Sequence, residues 1–150
     1  MSDDQSRREH RQATLFLCVA NSARSQMAEG LARRLSRSAP VLSAGSCPTQ
    51  VNPLAVQVMD EIGIALTGHR SKGIDEVPME TVSRVVTLCA EEVCPTVPSG
   101  VEHLHWPLSD PAAVLGDGQE QLAAFREVRD ELRSRLEALF PSGSSDSPRS

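Results

Sequence analysis

The feature that most limits what this chain can fold into is a regular change in its hydrophobic period. Short apolar runs alternate with stretches in which apolar residues recur every three or four positions. The runs are 14–19, 41–45, 84–88 and a weaker one at 102–106. After the first run, Met27, Leu31 and Leu35 put one apolar face on a helix expected over residues 25–37. Asn52 and Pro53 form an N-cap and first-turn pair, and the helix they open carries Leu54, Val58, Met59 and Ile62 before Gly63 closes it. From Gln119 to Phe140, Leu122, Phe125, Val128, Leu132, Leu136 and Leu139 mark a long amphipathic helix whose Arg and Glu residues are expected to face water. Strands that alternate with helices pair in parallel through crossovers. The expected class is therefore α/β: a single domain with a four-stranded parallel sheet flanked by helices.

The same pattern sets the boundaries. Residues 1–12 are charged and aperiodic and are expected to form a flexible arm; residues 13–140 form the domain; residues 141–150, PSGSSDSPRS, are expected to be a disordered tail. Aromatics are only 3% and Tyr is absent, so Leu, Val, Ile and Ala must fill the core. A net charge of −5 argues against nucleic acid as a partner. No apolar run approaches transmembrane length, and the polar N-terminus lacks the apolar stretch of a signal peptide. Those features predict a cytoplasmic protein with no membrane partner. Thiols stay reduced there, so the four cysteines point to chemistry or metal before structural disulfides.

Parallel sheets bind ligands beyond the carboxyl ends of their strands. Cys18 ends the first strand, Cys89 follows the third and Asp110 follows the fourth, so the fold gathers all three on one edge. Between Cys18 and the first helix runs Val19, Ala20, Asn21, Ser22, Ala23, Arg24 and Ser25. Amides of a loop entering a helix N-terminus bind a tetrahedral oxyanion. The same positive potential favours a thiolate at Cys18, which is then a nucleophile. Arg24 offers two planar donors to two anion oxygens. Asn21 can hold the loop's shape, and the Ser25 hydroxyl can donate to the sulfur or cap the helix.

The stretch LCVANSARSQMAEG resembles the anion loop shared by low-molecular-weight tyrosine phosphatases and the arsenate reductases built on their fold. SAG at 43–45, VNPLAVQVMDEIGI at 51–64, HRSK at 69–72, VVTLCAEEVCP at 85–95 and HWPLSDPA at 105–112 are similar to the thioredoxin-coupled arsenate reductases. The resemblance covers about residues 14–140. It implies that Cys18 attacks arsenate or a similar tetrahedral oxyanion and that Asp110 is the general acid. It also implies that Cys89 then attacks Cys18, and Cys94 attacks Cys89, leaving a Cys89–Cys94 disulfide for thioredoxin. Two electrons must leave through thiols, and a phosphatase has no use for the second and third. AEEV at 90–93 is expected to form a mobile turn or short helix, because Cys89 must change partners. No cofactor is expected beyond the external reductant, and the protein is expected to act as a monomer.

Other readings stay open on these residues. Cys89, Cys94, His103 and His105 spell C-x4-C-x8-H-x-H, a conceivable but irregular zinc set, and no metal is expected. The absence of Tyr beside Asp110 favours a small inorganic anion over an aryl phosphate. Lys72 stands where some of these reductases use an acid to bind potassium, so its ammonium is expected to replace that ion, bracing the loop through Asn21 or nearby carbonyls. Cys47 reads as a bystander, His69 as structural and Trp106 as packing at the end of the fourth strand. The alternatives to thioredoxin-coupled arsenate reduction are a small phosphatase, a reductase served by a small thiol, and a redox- or metal-responsive regulator without catalysis.

Overall fold

The structure, a computed structural model, describes residues 12–36, 39–66, 68–90, 97 and 99–141. Strand β1 (Ala13–Cys18) is buried along its whole length, as an inner strand of a parallel sheet must be. Helix α1 (Arg24–Leu35) returns the chain to β2 (Val41–Gly45). Helix α2 (Pro53–Asp60) follows, then β3 (Val82–Thr87), β4 (Glu102–His105) and helix α3 (Gly118–Leu139). Short 3-10 turns lie at Ile74–Glu76, Met79–Thr81 and Pro111–Ala113. The sheet runs β2-β1-β3-β4, every pair parallel. From β1 the chain moves outward to β2, then crosses to the other side of β1. The connections after β1 and β3 therefore leave in opposite directions, and a crevice opens between them at the carboxyl edge.

Period two sorts the strand side chains onto two faces. Phe16, Val86 and Leu88 meet Met27 and Leu31 of α1, Val58 and Met59 of α2, and Phe125, Leu132 and Leu136 of α3 in the main core. Leu15, Leu17, Ala44, Val82 and Val85 form a smaller core on the opposite face, covered by Ile74, Val77, Met79, Val97 and Val101. Trp106 is partly buried against the main core, with the Arg135 guanidinium 5.7 Å from its ring centre.

The helix ends are set by local chemistry. Asn52 Oδ1 accepts from the Leu54 amide at 2.8 Å, with Pro53 in the first turn. Asp117 and Glu120 close a reciprocal capping box at the start of α3. Strand β3 begins at Val82, two residues earlier than its apolar run suggests, because Val82 pairs with Ala13 before a register shift and Arg84 resumes the ladder opposite Thr14.

The expectation that every Arg of α3 faces water fails at Arg129. It is 9% exposed and donates to the Val58 carbonyl and to Glu61. The end of α2 packs over it, and its guanidinium satisfies a backbone carbonyl that water cannot reach. The arm over residues 1–11, most of the tail and residues 91–93 of AEEV lie outside the described residues, and so does Cys94.

Candidate active site

The loop after β1 is tightly built. Asn21 adopts φ +49, an uncommon left-handed conformation that Asn tolerates well. Its Oδ1 accepts from the Lys72 amide at 2.7 Å and from Gln26 Nε2 at 2.9 Å. Those two donors identify the oxygen, so Nδ2 is the atom that donates to Ser25 Oγ at 2.7 Å. Ser25 Oγ thus accepts there, and its own hydrogen is available to Cys18 Sγ, 2.9 Å away. The chain of donors ends on the sulfur. Of the two roles open to Ser25, the structure gives it this one: Ser25 is inside α1, and Ala23, the N-cap residue, makes no side-chain cap hydrogen bond. Its first amides are left to the anion cavity.

Gly45 is required beneath this loop. A Cβ there would lie 2.3 Å from the Val19 carbonyl oxygen and 2.8 Å from the Asn21 nitrogen. The loop is further fixed by the Cys47 and Thr49 amides, which donate to the Val19 and Ala20 carbonyls. Cys47 itself is exposed and a free thiol.

A cavity of about 100 Å³ opens over Cys18, lined by Ala20, Ser22, Ala23, Arg24, Asp110 and Ala112. Val19, Asn21 and Ser25 do not line it; they support it from behind. Arg24 is 4% exposed. Its Nη1 donates to the Leu108 carbonyl at 2.9 Å and to the Leu88 carbonyl at 3.4 Å, and Nη2 lies 3.9 Å from Asp110 Oδ2. One guanidinium therefore ties together the anion loop, the residue before Cys89 and the segment leading to Asp110. Asp110 divides its oxygens: Oδ1 accepts from the Ala112 amide at 3.0 Å, starting the Pro111–Ala113 turn, and Oδ2 faces Arg24. Cys89 is buried and disulfide-bonded, whereas Cys18 is a free thiol.

Of the two routes expected for Lys72, its ammonium takes the one through a nearby carbonyl. Asn21 is held by the Lys72 backbone amide, not by its ammonium. The ammonium donates to the Arg70 carbonyl at 3.1 Å and lies 3.7 Å from Glu29 Oε1. Glu29, 2% exposed, is the residue sequence reading missed; it also pairs closely with Arg33 and accepts from the Ser43 hydroxyl. Its spacing of four from Arg33 was the available signal. Gln26 was missed too: Nε2 reaches Asn21 and the Arg70 carbonyl, so Oε1 is the acceptor for His69 Nδ1 at 3.0 Å. Burial, with smaller contributions from Arg33 and Lys72, holds the His69 imidazole below its ordinary range against the pull of Glu29, so it is neutral and donates from Nδ1. Among the described residues, no three His, Cys, Asp or Glu side chains gather to hold a metal ion.

This architecture is that of a known family. Residues 13–147 match the low molecular weight phosphotyrosine protein phosphatases, and the chain belongs to that family. Within it, several of the chain's relatives are arsenate reductases. It is 44% identical over 131 residues to an arsenate reductase of Halalkalibacterium halodurans, covering 85% of this chain and 94% of that one. Among solved structures, an arsenate reductase in a phosphate-binding state superposes with a TM-score of 0.74 at 32% identity, over 87% of this chain and 97% of that one. A thioredoxin-dependent arsenate reductase of Corynebacterium glutamicum superposes with a TM-score of 0.68 at 25% identity, over 94% of this chain and 71% of that one. Among the described residues, no helix is long and apolar enough to cross a membrane.

Proposed function

We propose that this protein reduces arsenate to arsenite in the cytoplasm and is regenerated by thioredoxin. The loop amides of residues 19–25 and the Arg24 guanidinium hold the tetrahedral anion over Cys18. The thiolate attacks arsenic, and Asp110 protonates the departing oxygen, which leaves as water. Cys89 then attacks Cys18 Sγ. The electron pair of the breaking S–As bond stays on arsenic, which leaves as arsenite, and a Cys18–Cys89 disulfide forms. Cys94 attacks Cys89, freeing the Cys18 thiolate, and thioredoxin's two thiols reduce the remaining disulfide. Across the cycle one arsenate takes two electrons and loses one oxygen as water, while thioredoxin is oxidised. Lys72 takes the place of a potassium ion behind the loop.

The observation that carries this reading is the hydrogen bonding of Arg24 to the Leu88 carbonyl. The anion-binding arginine grips the backbone directly before the second sulfur, a link that hydrolysis of a phosphate ester does not need. The free state of Cys18 beside a disulfide-bonded Cys89 also suits the stage at which the first thiol has been released. The test is arsenate-dependent NADPH oxidation with thioredoxin and thioredoxin reductase. Cys18→Ser, Cys89→Ser and Cys94→Ser are each expected to abolish multiple turnover. Full turnover by Cys89→Ser would overturn the relay, and turnover by Cys94→Ser would identify a small thiol as the reductant.

A further inference from the structure

The anion loop is held from behind by a side chain that does not line the cavity. Gln26 lies in the first turn of α1 and is fully buried. Its Nε2 faces three acceptors: Asn21 Oδ1 at 2.9 Å, the Arg70 carbonyl at 2.9 Å and the Asn21 carbonyl at 3.2 Å. Its other end, Oε1, lies 3.0 Å from His69 Nδ1. An amide donates only from nitrogen, so this cluster of acceptors fixes which end is which. Turning the amide over would set an oxygen against three oxygens.

Once that end is fixed, the bonds all run one way. His69 Nδ1 donates to Gln26 Oε1, Gln26 Nε2 to Asn21 Oδ1, Asn21 Nδ2 to Ser25 Oγ, and the Ser25 hydroxyl keeps its hydrogen for Cys18 Sγ. Hydrogen bonds in such a series polarise one another. Gln26 also joins two segments. Residues 70–72 reach the loop through the Lys72 amide on Asn21 Oδ1 and the Ser71 hydroxyl on the Ala20 carbonyl, and Gln26 holds the Arg70 carbonyl beside them. All of this converges on Asn21, whose φ of +49 is a conformation that surrounding contacts must sustain. We propose that Gln26 is a positioning residue of the oxyanion site: its amide sets the direction of the relay from His69 to Cys18 and holds Asn21 in the left-handed turn that shapes the loop. The inference rests on reading this loop as an oxyanion site and is independent of the thiol relay and of thioredoxin.

The test has two parts. Nitrogen NMR of the parent protein with labelled histidine, at about pH 8 where the imidazole is neutral, is expected to show His69 protonated at Nδ1. Solvated imidazole favours the proton on Nε2, so Gln26→Met, which keeps the volume and removes both ends of the amide, should let His69 revert to that tautomer. Calorimetric titration with inorganic phosphate should show binding to the parent and a dissociation constant about 10-fold higher in Gln26→Met, with an unchanged circular dichroism spectrum. A parent His69 protonated at Nε2 overturns the proposal, and that measurement decides it even where Gln26→Met fails to fold. Phosphate binding equal in parent and folded variant overturns it as well, while leaving the oxyanion site standing. A parent that takes up no phosphate overturns the site and this inference together.

Discussion

Glu29 and Glu61 are both carboxylates held by two cations, yet they serve opposite ends of the molecule's economy. Glu29 is 2% exposed and sits behind the anion loop, between Arg33, Lys72 and the Ser43 hydroxyl. Glu61 is 31% exposed and staples the end of α2 to α3 through Arg126 and Arg129. An ion pair in water gains little, while a buried charge must keep every partner. The comparison teaches that the same pairing chemistry is a requirement of the site in one place and a trim on the surface in the other.

The largest break is expected at Glu29→Gln. Removing one member of a buried charge cluster should cost about 3 kcal/mol, the low end for such losses because Arg33 is half exposed. Thermal unfolding should show a fall of about 10 °C, and arsenate turnover should fall with it, since Lys72 then loses its counter-charge beside the loop. Arg129→Met should cost less, about 2 kcal/mol, by leaving the Val58 carbonyl without its donor while Arg126 still holds Glu61. Urea denaturation measures it, and turnover at moderate temperature should be unchanged.

Glu61→Gln sharpens the contrast through pH. The Arg126 hydrogen bond, helped by Arg129, lowers the Glu61 carboxyl from 4.5 to about 2. A depressed carboxyl stabilises the fold fully above its unfolded value and loses that contribution as pH falls toward the folded one. The stability gap between parent and variant should therefore be constant above pH 4.5 and close between pH 4.5 and 2. The smallest expected effect is none. Replacing potassium by a larger monovalent cation should leave arsenate kcat/KM unchanged, because the Lys72 ammonium already neighbours Glu29. A clear rise with potassium would remove Lys72 from that role.

Much of this was legible before any coordinate. The strand–helix alternation placed Cys18, Cys89 and Asp110 at one sheet edge, and Asn52–Pro53 marked the start of α2 to the residue. What stayed hidden was the set of polar groups whose meaning depends on distant neighbours. Glu29, Gln26 and Arg129 look like solvated helix residues in sequence; they are buried because Ser43, the Asn21 side chain and the end of α2 reach them from elsewhere in the chain. The division of labour at Lys72, amide to Asn21 and ammonium to Glu29, likewise follows from a loop path that no spacing encodes.

Helix α1 opens after Ala23, an N-cap residue that makes no side-chain cap hydrogen bond. A negatively charged guest is therefore also a missing piece of secondary structure: loading the cradle finishes the helix. Substrate and scaffold become one thermodynamic object, so inorganic phosphate should raise the melting temperature even where no reaction follows.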